Sequence, residues 1–220
     1  MNLPNRLTLG RLILTVCLFS ILEMIRQASF PDSRVLGPWL ATIASVGFVL
    51  FLVAALTDVL DGYLARRRKM VSDFGRIADP FADKILICGS LVFLAATPGV
   101  DGIIQPWVVV IILAREFLVT GLRGYIEARG VPFGARAIGK VKMLLQSFLV
   151  GGALFILGPG HEEPRLTFVL LVIMIATVLV TVYSGWLYIQ AARRVVAEAD
   201  AARAENRAAA APRETPETPA

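Results

Sequence analysis

The sequence predicts an all-α protein that crosses a membrane six times, and three observations carry that prediction. Of its 220 residues 56% are hydrophobic, and the mean hydropathy is +0.70, well above what a soluble domain needs. Six apolar stretches, roughly 7–25, 39–60, 81–97, 104–125, 142–158 and 166–189, approach the length of about 20 residues at which a helix spans hydrocarbon. The segments between them are too short to hold a soluble domain. Residues 1–190 are thus expected to form one membrane domain, and 191–220 a helix extension followed by a disordered tail.

The first stretch is long for a signal peptide. Glu23 and Met24 stand near its end where a small-residue cleavage site is wanted, so it reads as a retained helix. At its start, Asn5, Thr8 and Arg11 recur at three-residue steps and share one helix face. Capping by Asn5 and snorkelling by Arg11 are one reading of that stripe; a polar site at the membrane boundary is the other.

The second stretch rises from Leu40 to Leu56 and meets Asp58 and Asp61; after a basic loop, Asp79 and Asp83 open the third, Ile85 to Ala96. These acids are expected at two helix ends on one side of the membrane. Spacings of three and four put each pair on one helix face, and an antiparallel hairpin lets all four carboxylates converge. Four anions beside lipid require cations, and hard divalent ions with oxygen ligands, Mg²⁺ or Mn²⁺, meet that need. Asp79 before Pro80 also reads as an N-cap followed by proline at the first helical position. That alternative leaves Asp58, Asp61 and Asp83 unexplained.

In the fourth stretch Arg115 and Glu116 lie within apolar sequence, where charges are functional or paired. As neighbours they point to different helix faces and are not natural partners. Arg115, Thr120 and Arg123 are candidate walls of an anion site, or Arg115 neutralises the acid cluster. Lys140 and Lys142 at the fifth stretch read as anchors or as further cations of that site. His161, Glu162 and Glu163 before Pro164 read as a solvated turn on the opposite side.

Lysines and arginines concentrate after the second stretch (Arg66, Arg67, Arg68, Lys69, Arg76) and after the fourth (Arg129, Arg136, Lys140, Lys142), while the alternate connections hold only Arg26, Arg34 and Arg165. By the positive-inside rule both termini and the acids face the cytoplasm. The tail from Ala191 balances five arginines against five acids, so the net charge of +5 belongs to the membrane portion. Such a charge suits anionic lipid and phosphate, not nucleic acid. Cys17 and Cys88 sit inside apolar runs as small hydrophobes.

The spacing Asp58-x2-Asp61-Gly62-x2-Ala65-Arg66-x8-Gly75-x3-Asp79-x3-Asp83 resembles, at every position, the signature of the CDP-alcohol phosphotransferase family. Asn5-x2-Thr8-x2-Arg11, Arg115-Glu116-x3-Thr120-x-Leu122-Arg123 and Gly139-Lys140-x-Lys142-x3-Gln146 resemble its phosphatidylglycerophosphate synthase branch, with Met143 a departure from the threonine common there. The resemblance implies an enzyme that moves a phosphatidyl group from CDP-diacylglycerol to an alcohol, with sn-glycerol 3-phosphate the indicated acceptor. Inositol phosphate, serine and phosphatidylglycerol are alternatives within the family. It further implies two divalent ions on Asp58, Asp61, Asp79 and Asp83, with Asp83 also the base. Asn5, Thr8, Arg11, Gly62, Arg66 and Gly75 are implied at the nucleotide and its diphosphate, with Arg115, Arg123, Lys140 and Lys142 at the acceptor phosphate. A homodimer is also implied. Of the rival classes, an intramembrane prenyltransferase normally splits its acids between distant helix pairs, and a divalent-cation transporter gives no reason for Gly62-x2-Ala65-Arg66.

Overall fold

The computed structural model describes residues 3–68, 73–128, 137–159 and 163–210, and side chains over 9–57, 81–128, 138–159 and 163–201. Six long helices account for nearly all of it: α1 (Leu3–Ala28), α2 (Leu40–Arg68), α3 (Asp73–Ala95), α4 (Pro106–Glu127), α5 (Ala137–Ile156) and α6 (Pro164–Ala210). No strand occurs among the described residues. Among the described residues three segments are long and apolar enough to cross a membrane, Gly37–Thr57, Ile138–Ile156 and Pro164–Ala201.

Local chemistry sets several boundaries. Pro106 and Pro164 each open a helix, where the missing N–H costs nothing and φ is already suitable. After α3 the chain reverses through Gly99 at φ 95°, a left-handed value that only glycine adopts freely. Ahead of α6, the Glu163 carbonyl accepts from the amides of Leu166 and Thr167 at 3.0 and 3.3 Å, and Glu163 is exposed, in keeping with a solvated turn. His161 and Glu162 lie outside the described residues.

The helices exceed their apolar stretches, and the excess corrects two expectations. Because α2 continues to Arg68 and α3 begins at Asp73, the acids lie inside helices and not at their ends. Asp79 consequently is no N-cap. Ser72 and Asp73 are themselves residue types that start helices, and α3 then runs through Pro80. Similarly α6 passes Ala191 without a break to Ala210, far longer than a brief extension, since its alanines, arginines and glutamates favour helix in water. Residues 211–220 lie outside the described residues.

Packing follows a ring. Helix α1 packs on α2 and α3, α5 on α2, α3 and α6, and α4 on α3 and α6. The two acid-bearing helices thus share α1 and α5 as neighbours. The core is a single apolar cluster drawing on all six helices, with Leu22, Ala54, Leu91, Ile112, Leu149 and Leu170 in it. Yet the outer faces are apolar too: Phe168 is 64% and Leu179 65% exposed on α6. A surface helix of a soluble domain turns a polar face outward, whereas these faces suit lipid. Several hydroxyls are satisfied without water, as hydrocarbon demands: Thr15, Ser45, Ser90 and Thr177 each donate to the carbonyl four residues back, at 2.7–2.9 Å. At the other end of α1, Glu23 accepts from Arg26 at 2.8 and 2.6 Å and from Gln27 at 2.8 Å, so its charge is compensated within the helix.

Candidate active site

Helical continuity gives the acids their geometry. Residues 58–61 lie in one unbroken stretch of α2 and 79–83 in one of α3, so Asp58 and Asp61 share a face, as do Asp79 and Asp83. The side chains of Asp58, Asp61, Gly62, Arg66, Gly75 and Asp79, and of Asn5 and Thr8, lie outside the described residues. Asp83 is half-buried. Arg11, on α1, is only 1% exposed, the largest fully buried side chain among the described residues. Snorkelling is therefore not its role, because its guanidinium stays inside the bundle. The Arg11 carbonyl accepts from the Thr15 hydroxyl at 2.8 Å.

A second polar cluster lies where α4 meets α3, α5 and α6, and Glu116 is its centre. Its Oε1 accepts from Arg115 Nη1 at 3.2 Å and from Lys142 Nζ across from α5. All three side chains are at most 9% exposed. Arg115 is held from two further directions: its Nε donates to Ser184 Oγ at 3.1 Å, and its guanidinium lies 5.3 Å from the centroid of the Tyr188 ring. Ser184 in turn donates to the Thr181 carbonyl at 2.9 Å. On the α3 side, Lys84 Nζ donates to Thr120 Oγ1, which donates to the Glu116 carbonyl at 2.7 Å.

This arrangement corrects the expectation that Arg115 and Glu116 ignore each other. Neighbouring Cβ atoms do diverge on a helix, but both side chains are long enough for the Arg115 guanidinium to curve back to the Glu116 carboxylate, which Lys142 from α5 also reaches. Among the described side chains the carboxylate partner of Arg115 is Glu116. Lys142 is buried, and so is no surface anchor. Lys140, two residues earlier, is exposed and makes no such contact, which suits an anchor at the helix start. Arg123 is half-buried, and its Nε is buried without a hydrogen-bond partner.

Several members of this cluster escape a reading of the sequence alone. Lys84 carries the one available signal, a cation just inside an apolar run. Ser184 and Tyr188 carry none, being isolated polar groups in a long apolar helix. Gln146 shares the Lys142 face one turn on; it is 2% exposed, with Nε2 unpartnered.

An all-helical apolar bundle with paired acids on two helices and a cluster of buried cations on others fits chemistry on a charged lipid. Residues 1–183 match the sequence profile of the CDP-alcohol phosphatidyltransferase family, and the chain belongs to that family. Its relatives include the "CDP-diacylglycerol--glycerol-3-phosphate 3-phosphatidyltransferase" of Bacillus subtilis, 36% identical over 189 residues, which covers 85% of this chain and 93% of the relative. The protein of the same name from Rickettsia bellii is 32% identical over 88% of this chain and 96% of its own. A Mycobacterium tuberculosis protein named "Probable phosphatidylglycerophosphate synthase" is 36% identical over 88% of this chain and 82% of its own.

Proposed function

We propose that this chain transfers a phosphatidyl group from CDP-diacylglycerol to sn-glycerol 3-phosphate, giving phosphatidylglycerophosphate and CMP. The observation that carries this reading is the near full-length match to proteins bearing the name of that reaction, covering 85% and 88% of this chain. The buried cations around Glu116 add physical support, since a phosphate-bearing acceptor needs fixed positive charge.

Asp58, Asp61, Asp79 and Asp83 are an all-oxygen donor set on two helix faces, which fits a hard divalent cation. Mg²⁺ or Mn²⁺, two ions in this reading, supplies neutralisation of the diphosphate and of the charge that develops on the leaving oxygen. The remaining steps fall to the protein. Arg66 holds the nucleotide diphosphate, and Asn5, Thr8, Arg11, Gly62 and Gly75 line the nucleotide. Arg115, Arg123, Lys140 and Lys142 receive the acceptor phosphate, with the exposed Lys140 at the entrance. The acceptor hydroxyl gives its proton to Asp83 as its oxygen bonds to the phosphatidyl phosphorus, and the bond from that phosphorus to the CMP oxygen breaks. CMP leaves with the electron pair.

In this reading all six helices span the bacterial inner membrane, both termini and the active site face the cytoplasm, and 1–190 form the catalytic domain. Lipid enters laterally between helices, and two copies associate as a homodimer. Release of CMP from labelled CDP-diacylglycerol, measured with glycerol 3-phosphate, inositol phosphate, serine and phosphatidylglycerol in turn, tests the assignment. Release is expected with glycerol 3-phosphate; release with one of the other acceptors and not with it refutes the assignment.

A further inference from the structure

We propose that Glu116 is a positioning residue for the acceptor site: one buried carboxylate that fixes Arg115 and Lys142 as a pre-aimed pair of cations for a phosphate group. The inference rests on the proposed acceptor and adds to it a residue with no phosphate-binding chemistry of its own.

The charge count sets the problem. Arg115 and Lys142 both reach Oε1 of Glu116, so the two cations lie within a few ångströms of each other inside an apolar bundle. Without the carboxylate they repel, and each carries the desolvation cost of a buried ion. With it the trio holds two positive charges against one negative, a surplus of one. A neutralising salt bridge needs only one cation for one anion. The surplus is what an anionic ligand takes up, and it grows with Lys84, bonded to the next turn of α4, and Arg123, on the same α4 face with Nε unpartnered.

Geometry carries the argument further. Arg115 is fixed from three sides, by Glu116 at Nη1, by Ser184 at Nε and by the Tyr188 ring. Among the described residues Nη2 has no such partner. Lys142 has three N–H donors and spends one on Glu116. The outcome is two cations with few accessible rotamers and with donors to spare. Preorganisation of that kind lowers the cost of binding, since the entropy of long side chains is lost on folding and not again on association. The sharing also couples the pair: loss of the carboxylate charge loosens both cations together.

The test uses the full chain purified in detergent, as wild type, Glu116→Gln, Glu116→Asp and Ser184→Ala. Two quantities are read: KM for each substrate, and the shift of the thermal unfolding midpoint on adding inorganic phosphate or glycerol 3-phosphate. Glu116→Gln is expected to raise KM for glycerol 3-phosphate about tenfold or more, with KM for CDP-diacylglycerol within about twofold, and to abolish the phosphate-induced shift. Glu116→Asp restores part of both. A purely structural salt bridge predicts instead a lower midpoint with both KM values moving together, and that result overturns the proposal, as does an unchanged acceptor KM. Should Glu116→Gln fail to fold, Ser184→Ala decides, because it frees Arg115 Nε without touching a charge. It is expected to raise the acceptor KM severalfold, and an unchanged value overturns the proposal. A wild type that releases no CMP with glycerol 3-phosphate refutes the proposed reaction alone; the phosphate-induced shift and its loss in Glu116→Gln then still decide the role of Glu116.

Discussion

Helix α1 meets α3 at Gly89, and the closeness of that meeting yields a sharp prediction. A Cβ added at Gly89 falls 2.1 Å from Phe19 Cζ, 2.8 Å from Cε1 and 3.0 Å from Cε2. Carbon atoms in good contact sit about 3.5–4.0 Å apart, so the Phe19 ring must move. It is not free to do so cheaply, because it packs on Phe93 with centroids 5.4 Å apart and planes tilted by 40°. Two effects of Gly89→Ala oppose each other. Alanine gains about 1 kcal/mol of helix propensity over glycine. Overpacking costs about 1–3 kcal/mol, and a contact this short belongs at the upper end. The net expectation is a loss of about 2 kcal/mol, which for a chain of this size lowers the unfolding midpoint by roughly 4–8 °C. Phe19→Leu removes all three offending ring atoms. Alone it leaves a void and destabilises, but Gly89→Ala placed in that background should cost nothing or stabilise, a coupling of at least about 2 kcal/mol. Thermal unfolding of the four proteins in detergent measures it. A Gly89→Ala midpoint equal to wild type, or the same cost with and without the Phe19 ring, refutes the reasoning.

Two further outcomes test the proposed site and its sidedness. Chelation by EDTA should abolish CMP release and added Mg²⁺ or Mn²⁺ should restore it, while Asp58→Asn, Asp61→Asn and Asp79→Asn each abolish turnover without blocking membrane insertion; near wild-type activity in any two of the three removes them as ligands. In a background lacking Cys17, the exposed native thiol, cysteines placed at Arg68 and Val131 should react with an impermeant reagent only from the cytoplasmic side and one at Asp101 only from outside, and the reverse pattern overturns the orientation.

What the sequence discloses and what it conceals divide along physical lines. The order of the six helices is legible because each carries an apolar run, and the acid pairs are legible because spacings of three and four have one meaning on a helix. Helix ends are not legible from apolarity, which stops where lipid stops. Arg66 to Arg68 and the alanine-rich segment to Ala210 continue helices beyond the apolar runs, where propensity and not hydropathy governs. Asp79 was open to misreading because Pro80 favours a first turn, yet α3 had already begun at Asp73. The pairing of Arg115 with Glu116 was hidden for a different reason. Face geometry describes Cβ directions, whereas partners on other helices, Lys142 for Glu116 and Ser184 with Tyr188 for Arg115, bear on where two long side chains end. Ser184 could not be found at all, since its importance lies in what faces it from α4.

Helix α3 explains how one small bundle can serve two substrates of like charge. Its consecutive residues Asp83 and Lys84 point about 100° apart, as neighbours on a helix must. Asp83 belongs to the face that carries Asp79, while Lys84 turns to Thr120 on α4 and so to the turn that holds Glu116. One turn of one helix therefore touches both polar clusters, the acidic one proposed for the diphosphate and the cationic one proposed for the acceptor. Two anionic substrates repel and must be brought together by opposite means, a cation-loaded carboxylate site for one and fixed protein cations for the other. In the proposed reaction Asp83 would act as the base at the seam between them, where an acceptor hydroxyl held by its phosphate would arrive beside the phosphorus it attacks.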